Sequence, residues 1–208
     1  MSTPTELQEE HVLDDGTPVV LRAIRPDDAA ELRRGFERLS PSSRYRRFLA
    51  TRDTLSDDTL DYLTRVDGRD HAAIVALTRG PDGADVGLGI ARFIRMPDEP
   101  EVAEAALTVI DDAQGKGLGR LLALALARAA VAQGIRRFRG EILATNQPVQ
   151  QLLVEAGAVV KPSDDGALVF DVVLDPPEPQ HLERTARQLL RAAASQLLGL
   201  FRGLTGDR

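Results

Sequence analysis

Residues 101–120 constrain this chain more than any other stretch. They read Glu-Val-Ala-Glu-Ala-Ala-Leu-Thr-Val-Ile-Asp-Asp-Ala-Gln-Gly-Lys-Gly-Leu-Gly-Arg. An apolar, strand-like run holds a single carboxylate, Glu104, and ends in Asp111 and Asp112. A glycine-rich loop follows, Gln114-Gly115-Lys116-Gly117-Leu118-Gly119, with Q-x-x-G-x-G spacing. After Arg120 comes a stretch rich in Leu and Ala. A strand, a tight turn and a helix N-terminus in that order make an anion site. The N–H groups of the turn and the first unpaired N–H groups of the helix point one way. The bland alternative is a plain strand-to-helix turn, and the loop alone does not decide between them.

Neighbouring glycine motifs do not fit. A Walker loop needs Gly-Lys followed by Ser or Thr, whereas Gly117 follows Lys116. A dinucleotide fingerprint needs G-x-G-x-x-G, and Arg120 breaks that spacing after Gly119. No G-x-S-x-G elbow of a serine hydrolase occurs. The chain has no cysteine, so disulfides, thiolate metal sites and cysteine nucleophiles are excluded. Its 3 histidines are scattered, so no metal cluster is readable and no metal is expected. A net charge of −6 argues against nucleic acid as a partner.

Hydrophobic residues make up 43% of the 208 and charged residues 28%, an ordinary balance for one domain with an appendage. No secretory signal and no run of 18 apolar residues is visible, so a cytoplasmic protein without a transmembrane segment is expected.

Periodicity divides the chain into a polar segment 1–17, a domain 18–175 and a tail 176–208. In the first, His11-Val12-Leu13 before Asp14-Asp15-Gly16 permits a short strand and turn. In the domain, strands are expected at 19–24, 71–78, 86–94, 102–110, 138–143 and 167–174. Helices are expected after Pro26, after Ser40-Pro41, after Ser56, at 117–133 and at 147–156. The β-α-β stretch from 102 to 143 predicts a parallel pair with a right-handed crossover, the middle strands antiparallel hairpins. The tail opens on Asp175-Pro176-Pro177-Glu178-Pro179, a stiff linker. Beyond it, Leu182, Ala186, Leu189, Leu190, Ala193, Leu197 and Phe201 give an apolar helical face. That helix can pack on its own domain, form a homodimer or lie on an acidic membrane surface.

At this point the chain resembles the GNAT superfamily of acyl-CoA-dependent N-acetyltransferases. Q-x-x-G-x-G is the pyrophosphate signature of that family. Leu21 to Ala29 resembles its first strand and helix start, and Asn146 to Ala158 its later helix and turn. A closer resemblance, to bacterial protein-lysine acetyltransferases, rests on Leu39-Ser40-Pro41-Ser42-Ser43-Arg44-Tyr45-Arg46-Arg47-Phe48. It rests equally on Val66-Asp67-Gly68-Arg69-Asp70-His71-Ala72-Ala73-Ile74-Val75-Ala76. Such relatives often carry an added nucleotide-binding or synthetase-like domain, for which a chain of this length leaves no room.

The resemblance implies an α/β GNAT fold: a mixed, mostly antiparallel sheet with a splayed parallel pair, helices on both faces and here a C-terminal helix. It implies acetyl-CoA as co-substrate and a primary amine, favoured as a protein lysine, as acceptor. Gln114, Gly115, Lys116, Gly117, Leu118, Gly119 and Arg120 then hold the diphosphate. The backbone of Thr108, Val109 and Ile110 pairs with the pantetheine amides, and Asn146 bonds the cofactor or caps its helix.

Glu104 is the implied general base. It is the only charged residue between Val102 and Ile110, and burial there would favour a raised pKa. The bland alternative is a strand-end carboxylate facing water or an arginine. The later helix contains no tyrosine to serve as general acid; the 2 tyrosines are Tyr45 and Tyr62. A small-amine acetyltransferase and a non-catalytic acyl-CoA-binding module are the rival readings.

Overall fold

The computed structural model of the chain describes residues 7–48, 54–144, 153, 158–163 and 167–174. The chain divides into two compact units, Met1–Ile135 and Arg136–Arg208. The first is built on five strands, each antiparallel to the next: β1 (Gln8–Val12), β2 (Pro18–Ala23), β3 (His71–Arg79), β4 (Asp85–Arg95) and β5 (Val102–Val109). The short strand foreseen around His11 is therefore real and lies further upstream, with His11 opposite Val19.

Helices cover both faces of this sheet. α4 (Leu118–Ala132) packs on β3, β4 and β5; α1 (Ala29–Glu37) packs on β4, with α3 (Asp57–Thr64) beside it. The double cover explains why β3 is buried continuously from Ala72 to Leu77 instead of alternating. A register shift at Ala76/Leu77 makes Leu88 an extra residue on β4. As a result Gly87 faces Glu31 of α1, while Gly89, two residues on, faces Leu122 of α4.

Local chemistry sets the helix ends. Pro26 begins a single 3-10 turn, in which Asp28 accepts from the Arg25 N–H at 2.7 Å and runs into α1. Asp28 also receives both guanidinium arms of Arg22, at 2.7 and 2.6 Å, tying β2 to that turn. Ser56 caps α3, its Oγ accepting from the Thr59 N–H at 3.2 Å. α4 buries Leu118, Leu122, Ala125, Leu126, Ala129 and Ala130, a stripe at spacings of three and four. It ends at Gly134 in a Schellman arrangement, Gly134 N–H to Val131 O and Ile135 N–H to Ala130 O, each 3.0 Å.

α2 (Pro41–Phe48) starts beneath the end of β5. Asp111 accepts from the Ser40 N–H at 2.7 Å and the Ser43 hydroxyl at 2.7 Å. Those bonds, the Ser40 N–H first, hold its carboxyl below the usual range.

The second unit contains β6 (Arg137–Leu143), β7 (Val159–Pro162) and β8 (Ala167–Val173). β8 is antiparallel to both of the others, with Phe170 opposite Gly140 and Val160. β7 escaped the sequence reading because four residues ending in a proline carry too little periodicity; the exposed edge of β8 recruits them. The order β5, glycine loop, α4, β6 follows the expected β-α-β order. The helix foreseen at 147–156 and the tail 176–208 lie outside the described residues, apart from Leu153. Among the described residues, no helix is long and apolar enough to cross a membrane.

Candidate active site

β5 carries the site at its two ends. In antiparallel strands, directly opposite residues share a face. The register therefore lays three rows across β3, β4 and β5: His71, Ile94, Glu104; then Ala73, Arg92, Ala106; then Val75, Ile90, Thr108. Ala73, Val75 and Arg92 are buried, whereas the outermost row opens to solvent and Glu104 is exposed. The burial expected for Glu104 is therefore corrected. α1 and α3 cover the inner rows, and Glu104 stands at the margin of that cover. The rim position leaves the carboxylate accessible to an incoming molecule.

The neighbouring row holds a buried cation. Arg92, 5% exposed, donates to the Leu63 carbonyl at 2.8 Å and to His71 Nε2. Burial and then the Arg92 charge push the His71 pKa down to about 4, so its ring is neutral and accepts through Nε2. The Tyr62 ring lies 5.1 Å from it, centre to centre.

Thr108 faces a cavity of about 90 Å³ lined also by Phe36, Val75 and Ile90. Its hydroxyl is enclosed without a hydrogen bond among the described residues. At the far end of the strand, the backbone is knitted tightly. The Ile110 N–H donates to Leu88 O at 3.0 Å and its carbonyl accepts from the Ala113 N–H at 3.0 Å. Both backbone groups of Ile110 are thus engaged within the fold. Strand alternation turns those of Val109 to the opposite edge. There the Gln114 side chain donates to Val109 O at 3.0 Å and to Asp111 Oδ1 at 3.3 Å. Gln114 acts first as a brace between loop and strand.

The loop itself is open. Gly115 and Gly117 sit at φ +73° and +82°. The N–H groups of Gly115, Lys116, Gly117, Leu118 and Gly119 have no hydrogen-bond acceptor among the described residues. Those of Arg120 and Leu121 already close on Gly117 O, at 3.1 and 3.3 Å. A Cβ on Gly115 would meet nothing within 4 Å, so the cradle is unobstructed on that side. The Arg120 Nε is enclosed in the first turn of α4 and makes no hydrogen bond among the described residues. Five adjacent donors at a helix N-terminus fit a diphosphate. Lys116 is not a free loop charge: its Nζ lies 3.0 Å from Asp15 Oδ2. The site thereby includes Asp14 and Asp15, which sequence reasoning recognised only as a turn. No local signal links them to a loop some hundred residues away.

Of the other expected site residues, Asn146 lies outside the described residues, as do the side chains of Tyr45, Arg46 and Arg47. Arg44 stacks its guanidinium 4.8 Å from the Phe36 ring centre and donates to Glu37 O, so it serves the helix junction. No group of three metal-ligating side chains occurs among the described residues.

The family model for the acetyltransferase (GNAT) domain matches residues 19–159. The chain belongs to the GNAT acetyltransferase family. This GNAT domain is 34% identical over 164 residues to Acetyltransferase PA5475 of Pseudomonas aeruginosa, covering 78% of the chain and 87% of that protein. It is 32% identical over 178 residues to Acetyltransferase Pat of Mycolicibacterium smegmatis, covering 86% of the chain. It spans only 52% of that mycobacterial relative. Among solved structures, the GNAT domain of S. lividans PAT superposes with a TM-score of 0.72 at 30% identity, covering 80% of this chain and 97% of that one.

Proposed function

We propose that this GNAT domain moves an acetyl group from acetyl-CoA to a primary amine, with a protein lysine as the favoured acceptor. The observation that carries the reading is the run of five N–H groups at 115–119 that have no acceptor among the described residues, beyond the end of the strand that bears Glu104. Ile110 lies six positions after Glu104. At about 3.3 Å per residue, that separation is about 20 Å, so the carboxylate and the diphosphate loop stand at opposite ends of one strand.

The chain's own groups divide the work. The loop N–H groups and the α4 N-terminus hold the diphosphate. The Val109 N–H, turned away from β4, polarises the thioester carbonyl. Glu104 takes the proton. A lysine amine with a pKa of about 10.4 is almost wholly protonated at neutral pH, so a base must free its lone pair. The nitrogen then forms the new bond to the acetyl carbon, the carbon–sulfur bond breaks, and the second amine proton leaves the nitrogen through solvent, which protonates the departing thiolate. The rim position of Glu104 supports an acceptor as bulky as a protein side chain, as does the resemblance at 39–48 and 66–76. A small amine remains the second reading.

Thiol release from acetyl-CoA, measured against lysine peptides and small amines, tests the proposal. Glu104→Gln is expected to lower kcat by about 10²–10⁴-fold with CoA affinity unchanged by calorimetry. Equal turnover in wild type and Glu104→Gln would remove Glu104 from the mechanism. Binding without turnover on any amine would favour a non-catalytic acyl-CoA-binding module.

A further inference from the structure

We propose that the turn between β1 and β2 sets the conformation of the diphosphate loop, with Asp14 and Asp15 as positioning residues and Lys116 as their anchor rather than a phosphate contact. The inference rests on the diphosphate reading of the loop.

Three contacts join turn and loop. The Asp14 N–H donates to Lys116 O at 3.2 Å. A trans peptide is planar, with its C=O and N–H pointing in opposite directions. Holding the Lys116 carbonyl therefore turns the next N–H, that of Gly117, away from the turn and into the row of donors. The Asp14 carboxylate lies 3.0 Å from where a Cβ on Gly117 would stand, so it stands against the loop at that residue. Finally, Lys116 Nζ reaches Asp15 Oδ2 at 3.0 Å.

The turn is itself held in place. Asp15 Oδ1 accepts from the Thr17 N–H at 3.0 Å, and Leu13, 4% exposed, donates from its N–H to Thr17 O at 2.9 Å. Further along β1, both oxygens of Glu9 lie 2.7 Å from an Arg128 nitrogen. The hairpin is thus fastened to α4 as well as to the loop that starts it. Two carboxylates beside an anion site would repel the anion by themselves. Pairing Asp15 with Lys116 cancels one of them, which gives the lysine a use that needs no phosphate.

The two roles for Lys116 predict opposite signs. If the pair positions the loop, Asp15→Asn and Lys116→Gln each weaken CoA binding by about tenfold. The double variant is then no worse than either single, and the swapped pair Asp15→Lys with Lys116→Asp restores affinity. The KM for acetyl-CoA rises with them while kcat at saturation stays within about twofold. Binding of pantetheine, which lacks the diphosphate, does not change. Thermal melting of each variant checks the fold.

Tighter or unchanged CoA binding in Asp15→Asn, beside weaker binding in Lys116→Gln, would overturn the proposal and make Lys116 a phosphate ligand. Equal losses for CoA and pantetheine would overturn it too, because the defect would not reside in the loop. A wild-type protein that binds no CoA at all would bring down the diphosphate reading first and this inference with it.

Discussion

Two hairpin turns of this molecule have nearly the same local chemistry and different surroundings. In the β1–β2 turn, Gly16 sits at φ +86°, its N–H donates to Leu13 O, and Asp15 accepts from the N–H two residues on. In the β3–β4 turn, Gly83 sits at φ +77°, its N–H donates to Gly80 O, and Asp82 accepts from the N–H two residues on. Both are Asp-and-Gly turns whose side chain mimics a backbone acceptor. Among the described residues, the second is bound by its own strands alone, through Arg79 to Gly83 O and to Asp85. The first also meets the glycine loop and α4. A turn thus acquires a role from what the sheet brings against it, not from its own residues.

The largest expected effect comes from filling the loop that the first turn backs. Valine at Gly117 must adopt a left-handed conformation at a cost of about 1–2 kcal/mol, and its Cβ would meet the Asp14 carboxylate. Gly117→Val is expected to weaken CoA binding by at least about a hundredfold, read by calorimetry. The matched variant at the free turn, Gly83→Val, carries the same left-handed strain and has nothing within 4 Å to strike. It should lower the melting temperature by about 2–8 °C and leave CoA binding alone. Similar CoA affinity in the two variants would erase the distinction between the turns.

A pH series separates the turn from the core at intermediate size. Hydrogen bonds from Thr17 and then Lys116 hold the Asp15 carboxyl down at about 2, so its pairing persists throughout the range from pH 8 to 4. His71 behaves otherwise. Its folded pKa of about 4 lies below the ordinary 6.5, so between those values the unfolded chain binds the extra proton. Stability therefore falls as pH drops through that window. His71→Gln should flatten the melting temperature between pH 6.5 and 4; an unaltered slope would place the acid sensitivity elsewhere. The smallest effect belongs to Asp82→Asn, expected within about 0.5 kcal/mol of wild type with no change in CoA affinity. A loss of affinity there would show that the free turn is not free.

Much of this was legible in the residues. The strand, loop and helix of 101–120 announced themselves because their periodicities change within a few residues and the glycines mark the turn. The start at Ser56 and the stop at Gly134 were equally local. β7 was not legible, since Val159–Pro162 becomes a strand only against β8. The exposure of Glu104 was not legible either. An apolar strand reads as buried, and only the reach of α1 and α3 over its face decides which row stays open.

The sequence by itself determined the family and most of the elements of the described residues, because helix periodicity, turn residues and Q-x-x-G-x-G are local properties of the chain. Tertiary structure alone decided that Lys116 meets Asp15, that Gln114 braces Val109, and that burial, with Arg92 beside it, keeps His71 neutral. Those pairings join residues across strand register and helix packing. Burial and charge at a residue are set by the neighbours the fold delivers, and the chain's own order does not name them.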